Sequence, residues 1–83
     1  MKIFKYPLHV TDSQIVQMPA CSKIIHAGLD PTGCPCLWAK VDPDEKNNKD
    51  VIVRIVGTGH DVPPNTLHVG TFVQNPFVWH VFI

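Results

Sequence analysis

Short apolar runs, many of them alternating with polar residues, recur along the whole chain and are separated by turn-forming residues. From Ile3 to Val10, Phe4, Tyr6, Leu8 and Val10 share one parity, and Ile3, Lys5, Pro7 and His9 share the other. That alternation predicts an edge strand with one buried face, and Pro7, which has no N–H to donate, suits an edge. Thr11-Asp12-Ser13 supplies turn or cap chemistry. Gln14 to Met18 fits a helical turn or a short strand; β-branched Ile15 and Val16, with Pro19 behind them, favour the strand. Lys23 to Leu29 reads as a strand that reverses at Asp30-Pro31-Thr32-Gly33 and returns as Cys36 to Val41, an antiparallel hairpin.

Asp42 to Asp50 is the strongly polar run and has no apolar periodicity, so it reads as a solvated loop. Val51 to Val56 is apolar at every position except Arg54, the pattern of a central strand covered on both faces. It feeds Gly57-Thr58-Gly59, where glycines permit a positive φ, and the turn delivers His60. Leu67 to Val73 and Val78 to Ile83 make a last hairpin around Gln74-Asn75-Pro76. The expected fold is therefore all-β: a small antiparallel sandwich or partly open barrel of about six short strands, with at most one short helical turn near Asp12 to Val16 or Pro63 to Leu67.

Length narrows the picture, because 83 residues make a single domain, 1–83, with one modest core. A chain of this size buries only about 60% of its unfolded surface and gains from a partner copy, so a homo-oligomer is expected. Seven Lys plus Arg balance seven Asp plus Glu, with no basic cluster, which argues against direct binding of duplex nucleic acid. No stretch has the roughly 18 consecutive apolar residues of a membrane span, and the N-terminus does not read as a signal peptide; a soluble, intracellular protein is expected.

Three cysteines, Cys21, Cys34 and Cys36, do not make a secreted disulfide framework. C-x-C is tighter than the usual zinc spacing, no second pair matches it, and the C-x-x-C redox motif is absent. The sequence thus predicts free structural thiols, no metal ligands and no cofactor. His60, on a glycine-shaped loop at a strand end, is well placed to touch a ligand, although a simple bend explains the same residues. Neither phosphate-loop spacing is present around Gly57-Thr58-Gly59. Arg54 needs either an acidic partner, with Asp12, Asp42 and Asp61 as candidates, or a route to solvent, where it could meet an anionic ligand. Trp38 and Trp79, with Phe72, Phe77 and Phe82, are core anchors or contact residues, and the chain runs apolar through Ile83.

Taken together, Tyr6, Gln14 to Pro19 (QIVQMP), PCLWA-x-VDP from Pro35 to Pro43, GTGH from Gly57 to His60 and WHVF from Trp79 to Phe82 resemble a family of small uncharacterised proteins encoded by tailed bacteriophages and prophages. Cys21 stands where that family usually has glycine, which argues against a family metal ligand there. The resemblance implies a phage accessory protein acting in the host bacterial cytoplasm, and it transfers no catalytic residue. The expected function is that of a non-enzymatic binding protein, an inhibitor or ligand-sequestering protein acting against a host (defence) component. Its partner would be a host protein or a small nucleotide, with Arg54, Thr58, His60, Trp38 and Trp79 as contacts. Carboxylates at Asp42, Asp44, Glu45 and Asp50 could imitate phosphates toward a nucleic-acid-binding target. The alternatives are a small enzyme using His60, or a structural phage component without a ligand.

Overall fold

In the computed structural model, which describes residues 1–83, the chain forms seven strands and no helix. They are β1 (Lys2–Pro7), β2 (Ser13–Pro19), β3 (Lys23–Leu29), β4 (Pro35–Val41), β5 (Asn48–Gly57), β6 (His68–Gln74) and β7 (Phe77–Phe82). All belong to one sheet in the order β1-β4-β3-β6-β7-β5-β2. Every neighbouring pair is antiparallel except β3 and β6, which run parallel and meet at Ala27 and Gly70.

The alternation along each strand decides which face is buried. Leu37, Ala39 and Val41 of β4, Val53 and Ile55 of β5, Val16 and Met18 of β2, and Phe72 and Val81 of the last hairpin join a single apolar cluster. A flat sheet with neighbours about 4.8 Å apart could not bring strands from both ends into one cluster. The sheet therefore curls, barrel-like, around its own core, with β1 and β2 as its two unpaired edges. A single sheet replaces the expected sandwich alternative, and the ambiguous Gln14–Met18 stretch becomes part of β2, the seventh strand. Pairing with β5 from Ser13 opposite Arg54 to Pro19 opposite Asn48 outweighs any local tendency to turn.

Two further expectations change with the topology. β5 is second from an edge, and it is covered on one face only: Val53 and Ile55 are buried, whereas Ile52 is 58% exposed. No second layer covers the outer face of the curled sheet, so an apolar residue there stays wet. The polar run is shorter than its composition suggests, because Asn48, Lys49 and Asp50 already pair with β2. Lys49 accommodates this by donating from Nζ to the Ser22 carbonyl at 2.8 Å. The expected edge strand and both hairpins agree with the structure, and the C-terminal strand is paired; but β1 stops at Pro7 and its expected buried face is thin, with Phe4 38% and Val10 40% exposed, Tyr6 half-buried and only Leu8 fully buried. β7 lies between β6 and β5, and Ile83 exchanges backbone hydrogen bonds of 2.8 and 2.9 Å with Leu67.

The β3–β4 turn is held by one carboxylate. Asp30 Oδ1 accepts from the Thr32 amide (2.9 Å), the Thr32 hydroxyl (2.7 Å) and the Cys34 amide (2.9 Å). Its Oδ2 meets Lys5 Nζ of β1 at 3.0 Å, the only ion pair in the protein. The Thr32 hydroxyl, then the Cys34 amide and the Lys5 ammonium, hold the carboxyl well below the usual carboxylate range. Because the folded value is depressed, the unfolded chain takes up this proton first as pH falls. The contribution to stability is complete above the ordinary aspartate value near about 3.9 and disappears as pH drops through the folded one. The thermal midpoint of the wild type should therefore fall on acidification below about pH 5 more steeply than that of Asp30→Asn. Parallel midpoint-against-pH curves for the two proteins would refute the assignment.

Candidate functional site

The end of β5 builds the most elaborate surface of the protein. The turn after Gly57 closes with a hydrogen bond from the His60 amide to the Gly57 carbonyl at 3.2 Å, and only Gly59 uses a positive φ, +93°. Gly57 has side chains as its neighbours instead. Trp79 of β7 stands opposite it in register, and a methyl at Gly57 would lie 3.4 Å from the Trp79 ring and 3.5 Å from the His60 ring. The two rings thus flank a gap that glycine leaves open and that a methyl would fill at ordinary contact distance. The Thr58 amide donates to the Val78 carbonyl at 3.3 Å and ties the loop to β7.

A cleft of about 560 Å³ opens on one side of this loop, lined by Asp12, Ile55, Thr58, His60, Phe77 and Trp79 among others. Its aromatic wall is ordered: Phe77 and Trp79 lie 5.4 Å apart at 31°, and Trp79 Nε1 donates to Gln74 Oε1 at 3.4 Å. Polar groups converge from Thr58, His60 and Asp12. The volume falls in the range of about 300–1,000 Å³ typical of small-molecule sites. On the other side of the loop a hollow of about 250 Å³ is lined by Gly59, Val62, His80 and Phe82, with His60 shared between the two. There the His80 ring is held at both nitrogens, by Thr58 Oγ1 at 2.8 Å and Thr71 Oγ1 at 3.0 Å. His68 Nε2 joins the same Thr71 hydroxyl at 2.9 Å, which completes a polar chain across β5, β7 and β6.

Of the residues singled out in the sequence, Thr58, His60 and Trp79 meet in the cleft. Arg54 does not line it. Arg54 is half-buried, has no carboxylate partner, and donates from Nε to the backbone carbonyl of Asp12 at 3.1 Å. The expected acidic partner is replaced by a peptide oxygen, and Arg54 positions the Asp12 loop that borders the cleft. Trp38 lies in the other half of the sheet, on β4, beside the His26 ring at 5.9 Å. Cys21 is separate as well, exposed and 3.7 Å from Glu45 Oε2. Two of the four carboxylates of the polar run cap their own loop: Asp42 accepts the Asp44 amide at 3.0 Å and Glu45 the Asn47 amide at 3.0 Å.

Sequence reasoning named Phe77 only as one of five aromatic anchors or contacts and Asp12 only as a partner for Arg54, and it missed His80. Asp12 and Phe77 reach the cleft only through the fold. His80 was legible, because strand alternation in Trp79-His80-Val81-Phe82 puts it on the face opposite Trp79.

A family model described as "Domain of unknown function (DUF7352)" matches residues 1–83. The chain belongs to that family. No curated protein and no solved structure matches it. The family thus covers every strand described above, including both walls of the cleft, and assigns no activity to it. No helix is long and apolar enough to cross a membrane.

Proposed function

We propose that this protein is a non-enzymatic binding protein that sequesters a small ring-bearing ligand, a nucleotide in its simplest form, in the cleft beside the Gly57–His60 loop. The observation that carries the reading is the convergence of Trp79, Phe77, Thr58 and His60 on one cleft of about 560 Å³. An aromatic wall accepts the face of a base, the His60 ring offers a hydrogen bond, Thr58 shapes the loop beside it while its hydroxyl holds His80, and Asp12 accepts from an amino or imino group on the ring edge. No thiol nucleophile stands beside His60: the cysteine thiols contact Glu45, the Pro35 carbonyl and Asp30 instead. That favours binding over turnover. The phage resemblance supports a role against a host (defence) component in the bacterial cytoplasm. A homo-oligomer fits the same reading, since Ile15 and Ile52 face each other across β2 and β5 while 66% and 58% exposed.

The test is calorimetric titration with purine and pyrimidine nucleotides, linear and cyclic, alongside native mass spectrometry of protein recovered from a bacterial host. Stacking of a base on an aromatic ring contributes about 1–3 kcal/mol, so Trp79→Leu should weaken binding about 5- to 150-fold. Gly57→Ala is the gentler probe, because its methyl meets the Trp79 and His60 rings at 3.4 and 3.5 Å, ordinary contact distances, with no positive φ to strain. It should lower affinity while leaving the thermal midpoint near that of the wild type. A protein that binds none of these ligands and carries no host component would reject the proposal in favour of a structural role.

A further inference from the structure

A second constellation lies in the other half of the sheet, on the outer face of the β3–β4 hairpin. On β4, Leu37, Ala39 and Val41 point into the core, so Cys36 and Trp38 project outward. Cys36 is nonetheless fully buried, hemmed in by its register partners Pro7 on β1 and Gly28 on β3. Its Sγ, the Sγ of Cys34 and a carboxylate oxygen of Asp30 all lie within 4.8 Å of one another. His26 belongs to the same face, and its Nε2 sits only 2.9 Å from where a Gly28 side chain would begin. Glycine at 28 is what lets the imidazole lie over the strand next to Cys36.

We propose that Cys34, Cys36 and Asp30, with His26 as fourth ligand, form a binding site for a thiophilic divalent cation of the zinc type. The donor set suits such an ion: two sulfurs, an imidazole and a carboxylate satisfy tetrahedral coordination, with Zn–S near about 2.3 Å and Zn–N or Zn–O near about 2.0–2.2 Å. Donors around such a centre are about 3.3–3.8 Å apart, so small rotations of Asp30, Cys34 and Cys36, already within 4.8 Å of one another, bring those three to the ion, while His26, outside that group, has to turn its ring toward it. The outer shell is already in place. The three donors on Asp30 Oδ1, from Thr32 and Cys34, orient the carboxylate so that Oδ2 faces Cys36 Sγ at 3.9 Å. Charge also balances. Two thiolates and one carboxylate against a divalent ion leave a single negative charge, which the Lys5 ammonium at 3.0 Å from Oδ2 offsets. Binding releases the two thiol protons to solvent, and no oxidation or reduction takes place. In the sequence the C-x-C spacing, tighter than usual and without a second matched pair, argued against a metal motif; the fold adds Asp30 across the turn and His26 along β3.

Cobalt(II) titration of the reduced, metal-free full chain tests the proposal. The wild type should develop a thiolate-to-cobalt charge-transfer band in the near ultraviolet and intense tetrahedral ligand-field bands in the visible, both bleached by zinc. Cys34→Ser, at a half-buried position, and Cys36→Ser should each remove most of the charge-transfer intensity, whereas Cys21→Ser should leave it unchanged. Circular dichroism confirms that each variant is folded; should Cys36→Ser fail to fold, Cys34→Ser alone decides. His26→Gln should weaken cobalt binding by about tenfold or more, no less than the loss of an outer-shell partner costs. No charge-transfer band in the wild type, or a band that survives Cys34→Ser, overturns the site. Unchanged affinity in His26→Gln overturns the fourth ligand.

Discussion

Gly70→Ala is expected to be the most damaging single methyl that can be added to this protein. A Cβ built on Gly70 collides with the backbone oxygen, carbon and nitrogen of Ala27 on β3. Side chains can rotate away from an intruding methyl, but a paired backbone cannot. The collision also falls at the weakest joint of the sheet. β1, β4 and β3 form one antiparallel block and β6, β7, β5 and β2 form another, and within the sheet the two are joined through the single register pair Ala27–Gly70. Separating them opens a route for water to the common core, which draws Leu37 and Ala39 from one block and Val53 and Val81 from the other. Overpacking a core typically costs about 1–3 kcal/mol, and a backbone clash at an obligatory joint belongs at or above the top of that range, about 3 kcal/mol or more. Urea unfolding followed by circular dichroism should show a large drop in midpoint, or no folded baseline at all. An unfolding free energy within about 0.5 kcal/mol of wild type would mean that β3 and β6 do not approach as described.

Leu37→Ala should rank next, for the opposite reason. Leu37 is 0% exposed, near the centre of β4, and stands between Tyr6 of β1 and Ala27 of β3. Its neighbours are strands rather than adaptable loops, so the space left behind collapses poorly, and the expected cost is about 2–5 kcal/mol. Against a typical total of about 5–15 kcal/mol, that is enough to populate unfolded molecules at physiological temperature. Ile52→Ala removes a similar side chain from a position 58% exposed on the outer face and, at dilution where the chain is monomeric, should change stability by no more than about 0.5 kcal/mol. The pair separates burial from composition, since apolar residues of similar size sit in strands on both faces. Equal losses for the two variants would show that the outer face of β5 is covered in solution, as an oligomer would cover it.

The elements of this fold were legible because they are encoded locally. Alternating parity marked the strands, and Asp30-Pro31-Thr32-Gly33 and Gln74-Asn75-Pro76 marked both hairpins. The glycines around Thr58 announced a shaped loop, and His60 with Trp79 proved to share a cleft there. Arg54 was correctly singled out as needing a partner, but its partner is a peptide carbonyl of Asp12, which no charge pattern reveals. Trp38 looked equivalent to Trp79 and is not, because their strands fall in different halves of the sheet.

The sequence by itself determined an all-β chain, its strands and its tight turns, since strand period and turn chemistry depend on neighbours a few residues apart. Only the tertiary structure decided that the strands make one curled sheet, that β3 and β6 meet in parallel through Gly70, that Asp12 and Phe77 complete the cleft, and that Asp30 lies beside Cys34 and Cys36. Those choices rest on packing between residues far apart in the chain, where the favourable contact is a shape fitted between two strands and leaves no periodic mark on either.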